Sequence, residues 1–271
     1  MRKHFSRVSY LLKRCSGHML LAAAGVALAV SGTGCGAGGG IVQYVCKTTA
    51  ADEDYVDFGT MEGFTAPGGV TGDWSVIEKV KLPTDYATSG WHFFRGRGWE
   101  DKAGDLAIQL SSAQVHAWFY DSSPPGGWAS VIYDTTVQLG RWYTMCFQYD
   151  SAAKTLELYL DGALVDSSGS IDPEDDSGNT NKLFFGGQDV DPIKVVGDIY
   201  SEADIVIAHQ AWFQRLLTAP EIAGYDGTLD AVGGTGLFFE TAIDETGITD
   251  ASGNGHNGTN GNTPQFYLDA M

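Results

Sequence analysis

From Ile41 onward the chain is a succession of short runs in which apolar and polar residues alternate, the spacing of half-buried β-strands. Between residues 142 and 222 they read WYTMCFQYD, KTLELYLDGALV, NKLFFGGQD, VVGDI and ADIVIAHQAWFQRLLTAPEI. Asp161-Gly162 lies between LELYL and ALV, and such a dipeptide predicts a tight hairpin. Upstream, IVQYVCK, DEDYVDFGTM, DWSVIEKVKLP, WHFFRGRGWE, DLAIQL, QVHAWFY and ASVIYDT predict seven more strands. In QVHAWFY, period two places Val115, Ala117 and Phe119 on a core face and Gln114, His116, Trp118 and Tyr120 on the other. In DLAIQL the same rule assigns Leu106, Ile108 and Leu110 to the core and Asp105, Ala107 and Gln109 outward. DWSVIEKVKLP resists such a division. Trp74, Val76 and Glu78 share one parity while Ser75, Ile77 and Lys79 share the other, so neither face is marked for burial. Near the end of the long stretch, Thr218 with Glu221 three residues on predicts a capped helix start.

Length and composition narrow the architecture to one domain. The 271 residues are 43% hydrophobic and 12% aromatic, enough for one sizeable core, and the 36 glycines suit many turns. Residues 1–35 read differently. Five bases and no acids occur there, with an apolar run from Met19 to Val30 that is too short for a spanning helix and suited to an export signal. The predicted division is a signal peptide at 1–35, a linker and first strand at 36–49, and a sandwich at 50–271. Small residues lead into Cys35, and GAGGG follows it. This resembles the lipobox of bacterial lipoproteins, although Gly32 stands where that family usually carries an aliphatic residue. The resemblance implies that Cys35 is lipidated and the protein held at the bacterial cell envelope or surface. Simple cleavage with secretion and an uncleaved anchor helix are the other outcomes, and membrane contact is expected only through an N-terminal lipid anchor. Past residue 35, 11 bases face 34 acids, a surface that repels phosphate backbones and excludes nucleic acid as a partner.

The order W-x-x-x-C, YLDG, GGQD, VGDI and L-x-x-x-E-I is similar to laminin-G-like and pentraxin-like domains of the concanavalin A-like superfamily. That resemblance implies an all-β jelly roll, a sandwich of two antiparallel sheets in which many members bind carbohydrate. GLFFETAIDETGITDASGNGHNGT, which begins at Gly236, is similar to the segment that normally opens such domains. Too few residues follow it for a second sandwich, so it is expected to complete the first one. By the same resemblance FGGQDVD would supply calcium ligands from Gln188 and Asp189, with Asp191 a further carboxylate. Ca²⁺ takes about 6–8 oxygens, so this loop alone would not suffice, and a turn capped by its own Asp side chains is the alternative. Pentraxin-like domains carry a disulfide at the W-x-x-x-C cysteine, matching Cys146, for which Cys46 is the partner; two buried free thiols are the other reading.

The candidate ligand face is the row Gln114, His116, Trp118 and Tyr120, with Trp128 beside it. Aromatic faces stack on the C–H faces of sugar rings, while amide and imidazole groups hydrogen-bond hydroxyls. The same row would equally form a second core if the segment Ser122–Trp128 covered it. For catalysis, a glycosidase needs two carboxylates facing each other across the scissile bond. The nearest approach is Glu240, Ala242 and Asp244, with alanine at the middle position. G-x-S-x-G and H-E-x-x-H are absent as well. A lectin-like carbohydrate-binding module, calcium-assisted by the resemblance, is therefore the leading expectation. A non-catalytic protein-interaction or scaffold domain is the alternative, and a glycoside hydrolase or polysaccharide lyase ranks last.

Overall fold

The computed structural model describes residues 41–48, 54–60, 72–81, 91–97, 106–111, 114–121, 127–134, 137–171, 182–188, 194–195 and 205–271. All of them fall in one compact unit, Gly40–Met271. The strands are β1 (Val42–Thr48), β2 (Tyr55–Thr60), β3 (Trp74–Lys81), β4 (Trp91–Arg97), β5 (Leu106–Ser111) and β6 (Gln114–Asp121). They continue with β7 (Gly127–Tyr133), β8 (Trp142–Asp150), β9 (Thr155–Leu160), β10 (Ala163–Gly169), β11 (Lys182–Phe185), β12 (Gly187–Gln188), β13 (Lys194–Val195) and β14 (Ile205–Phe213). A short helix, α1 (Ala219–Gly224), precedes β15 (Leu237–Ile243), β16 (Ile248–Asp250), β17 (Thr259–Gly261) and β18 (Gln265–Ala270).

Two large antiparallel sheets form the expected sandwich. The first runs β10-β9-β8-β3-β14-β1-β18, with β15 and β16 continuing from β14; the second runs β17-β2-β11-β4-β5-β6-β7. Between them lies a core that includes Trp74, Val76, Met145, Phe147 and Leu158 from the first sheet and Val56, Ile108, Ala117 and Phe119 from the second. Trp74 makes aromatic contacts with Phe119 across the gap and with Phe147 and Tyr149 on its own sheet. Each such large apolar side chain contributes about 1.5–3 kcal/mol by leaving water.

The predicted hairpin joins β9 to β10. Asp161 and Gly162 both take positive φ, 49° and 80°, as a two-residue loop with the twist of its strands requires. Asp161 also accepts from the Thr144 amide at 3.0 Å and from Arg141 at 2.6 Å, which fixes the turn against β8. Thr218 and Glu221 form the predicted capping box at α1. The final segment completes the sandwich at both sheets: β18 pairs with β1 and β17 pairs with β2. Gly261 lies over the Tyr55 ring so closely that a Cβ there would sit 2.2 Å from it.

The ambiguous strand β3 has a structural explanation. Its burial is nearly continuous because the outer face of the first sheet is covered. Ile77, Cys146, Ala211 and Phe213 meet Leu217, Ile222, Tyr225 and Val232 there in a second core. Arg215 holds the covering segment: its guanidinium bonds both Glu221 carboxylate oxygens, at 3.1 and 2.7 Å, and the carbonyls of Leu216, Val232 and Thr235.

The disulfide between Cys46 and Cys146 is a correction. Both thiols are free and buried. Cys46 lies on β1 in the core between the sheets and Cys146 on β8 in the second core, so they point to opposite faces of one sheet. Three strand spacings separate β8 from β1. That is about 14 Å, whereas a disulfide needs Cα atoms within about 7 Å. Burial raises both thiol pKa values, the charge of Asp54 adding to it at Cys46 and those of Glu157 and Glu78 at Cys146.

Candidate functional site

The site grows from the alternation of β6. Val115, Ala117 and Phe119 are fully buried in the core, as predicted. The opposite parity therefore faces away from the first sheet, and cross-strand register extends it over its neighbours. Ala107, Trp118 and Ser130 form one row across β5, β6 and β7; Gln109, His116 and Ile132 form the next. Residues opposite one another on antiparallel strands share a face.

On this face Gln114, Trp118 and Tyr120 are partly exposed, and His116 is 9% exposed. The His116 and Trp118 rings stack with centroids 5.8 Å apart and planes at 28°. Gln114 donates from Nε2 to the Asp134 carbonyl at 3.0 Å, which turns its Oε1 toward His116 Nε2 at 3.4 Å. Burial pushes the His116 pKa below its ordinary value, so the imidazole is neutral at pH 7. A partly exposed indole thus stands on a buried imidazole and beside the amide of Gln114.

The row through Trp118 continues to Phe184 on β11, by way of Gly96 and Ala107. Phe184 and Ala107 are fully buried, and Tyr55 packs edge-on against Phe184 at 5.5 Å. Ala107, predicted to face outward, does so by register but under cover. Trp118 consequently stands between a covered half of the face and the half-open β6–β7 end. At that end the Ile132 amide donates to Asp166 on β10 at 2.8 Å, tying the edges of the two sheets together. Ser130 and Ile132 belong to the face and were not read from the sequence. Their parity depends on how β7 pairs with β6, and only the register of Asp121 with Gly127 sets it.

The remaining expectations divide. Trp128 pairs with Tyr120 in register, its side chain lying outside the described residues, as does the segment 122–126. Asp189, Asp191 and the Gln188 side chain, the calcium candidates, likewise lie outside them, as does Cys35. Among the described residues no three His, Cys, Asp or Glu side chains converge as a metal site. Asp250 is committed to its own glycine-rich turn, accepting from Ser252 and from the His256 amide. The acids nearest a catalytic pattern have separate employments: Glu240 meets His209 at 3.2 Å, and Asp244 caps the turn at Thr246 and Gly247.

A family model described as the concanavalin A-like lectin/glucanases superfamily matches residues 52–223. Against curated proteins the sequence finds no match. Among solved structures, a "putative carbohydrate binding protein" from Bacteroides ovatus superposes with a TM-score of 0.57 at 13% identity, over 85% of this chain and 60% of that one. The receptor binding domain of botulinum neurotoxin C/D mosaic serotype gives 0.42 at 14% identity, over 57% of this chain and 35% of the other. The type G neurotoxin receptor binding domain gives 0.43 at 14%, over 56% and 37%. The chain thus spans from about a third to three fifths of the length of these structures.

Proposed function

The chain belongs to the concanavalin A-like lectin/glucanases superfamily, and we propose that it is a non-catalytic module that binds carbohydrate on the outer face of β5, β6 and β7. The observation that carries this reading is the partly exposed Trp118, stacked on the buried His116 and flanked by Gln114 and Tyr120. A sugar ring laid on the indole would place its hydroxyls near the Gln114 amide, which the Asp134 carbonyl and His116 hold in place. The structural likeness to a protein described as carbohydrate binding supports the fold on which the reading stands, while the binding chemistry rests on this chain's own residues. In this reading the lipobox-like leader serves export, and a lipid on Cys35 would hold the module outside the cell. A calcium ion at Gln188, Asp189 and Asp191 would add oxygen coordination to hydroxyl recognition.

A glycan-array and polysaccharide screen with the purified protein, run in calcium and then in EDTA, tests this. The expected result is binding that Trp118→Ala weakens while the fold is kept. Loss in EDTA alone would assign the ligand to the calcium loop instead. Binding to no glycan in either condition would overturn the reading and leave a protein-binding surface.

A further inference from the structure

The charges around the candidate sugar face are of one sign. Not one residue of β5, β6 or β7 is Lys or Arg. On the neighbouring β4, Arg95 and Arg97 stand in register with Ile108 and Leu106, which belong to the core, whereas the Trp118 row continues through Gly96. Beyond it on β11, Lys182 is paired with Asp57 at 2.8 Å. Acids, by contrast, border the face. Asp166 on β10 holds the Ile132 amide at one carboxyl oxygen and the Ser167 amide at the other, at 2.8 and 2.9 Å. Asp134, whose carbonyl anchors Gln114, is exposed just past the end of β7. His116 adds no positive charge, because burial lowers its pKa. The surplus of 34 acids over 11 bases past residue 35 sets the same sign at longer range.

The amide at the end of the β6 row is itself selective. Gln114 commits one N–H to the Asp134 carbonyl and one lone pair to His116, so one N–H and one lone pair remain side by side. A sugar hydroxyl both gives and takes a hydrogen bond, and two neighbouring hydroxyls match that pair of atoms. A carboxylate or a sulfate only accepts. It would meet the N–H but lie against the amide oxygen, and it would shed water with no cation to replace it. The four residues from Gln114 to Trp118 span about 13 Å of strand, more than one sugar ring covers. We propose that this face selects an uncharged oligosaccharide, laid along β6 from the Trp118 indole to the Gln114 amide, and rejects uronate-bearing and sulfated glycans. The inference rests on the carbohydrate-binding reading and names its ligand class.

The test immobilises neutral hexose and pentose oligosaccharides in an array, each beside a uronate-bearing and a sulfated counterpart of the same linkage. EDTA is present throughout, so that no calcium bridges an anionic sugar to the protein. The neutral member of each bound set should bind at least about tenfold more tightly, because like charges brought together are repelled. Raising the salt should narrow that gap. Ser130 lies opposite Trp118 on β7, so Ser130→Lys sets a cation beside the indole and keeps both Trp118 and Gln114. With an unchanged melting temperature, this variant should raise the affinity for the anionic members. An anionic member bound as tightly as its neutral partner by the wild type overturns the proposal. So does a gap that neither salt nor Ser130→Lys narrows, which would make the rejection steric. A single hexose bound as tightly as its oligomer overturns the extended placement. Silence at every position of the array would instead remove the sugar site itself, and this inference with it.

Discussion

The two sheets differ most on the sides they turn away from each other. On the first, Ile77, Cys146, Ala211 and Phe213 are roofed by Leu217, Ile222, Tyr225 and Val232 into a second core. On the second, the β6–β7 end keeps Gln114, Trp118 and Tyr120 partly exposed. The difference shows what makes a sheet face available for recognition: how far it is covered counts for more than the presence of aromatic residues. Both outer faces carry aromatics, Phe213 on one and Trp118 on the other. Among the described residues the first has a clamp, Arg215 on Glu221, holding a lid of its own chain in place.

Breaking the roof should produce the largest effect. Ile222 is 1% exposed, and Ile222→Ala leaves a cavity between α1 and the sheet. Such truncations cost about 2–5 kcal/mol, and chemical denaturation should show a loss in that range with glycan binding of the surviving folded protein unchanged. Arg215→Ala comes next. It removes charge-assisted bonds to Glu221 and three carbonyl contacts, and bonds to charged groups are worth about 1.5–3 kcal/mol. Trp118→Ala inverts the pattern. A tenfold loss of glycan affinity, about 1.4 kcal/mol, should accompany a smaller stability change than Ile222→Ala produces.

How much of this was legible follows the same division. The core face of β6 and the turn at Asp161-Gly162 were readable because both depend on local periodicity and turn chemistry. The burial of β3 was not readable, since Ile77 is covered by residues about 140 positions later. A strand buried on both faces loses its alternation, and DWSVIEKVKLP shows that loss without saying what causes it. At the candidate site the β6 row was legible and its partners on β7 were not, because cross-strand register is set by the loop between them. The cysteine pairing failed for a related reason. A family resemblance supplied one partner and availability the other, whereas strand order decides which residues can meet.

A smaller effect sharpens the role of the clamp. The Arg215 hydrogen bond lowers the Glu221 pKa from its ordinary 4.5 to about 2, with bonds from Thr218 adding to it against the opposing effect of burial. A depressed carboxyl pKa gives stability that is fully present above the unfolded value and is lost as pH falls through the folded one. Thermal melts should therefore show a component that declines between about pH 4.5 and pH 2. Glu221→Gln should remove that component and lower the melting temperature at pH 7.

The smallest expected effect is none at all, and it bears directly on the two faces. Cys46 belongs to the core between the sheets and Cys146 to the roofed core outside. With both thiols buried and their pKa values raised, neither presents the thiolate that disulfide exchange requires. The melting temperature should be the same with and without a strong reductant, and two thiols should become reactive only in denaturant. Cys146→Ser would place a hydroxyl among Ile77, Phe213 and Ile222 and should destabilise the fold, whereas loss of a disulfide would appear equally on reduction of the wild type. A reductant-sensitive melt would put both cysteines on one face, and with them the strand order that separates the roofed face from the open one.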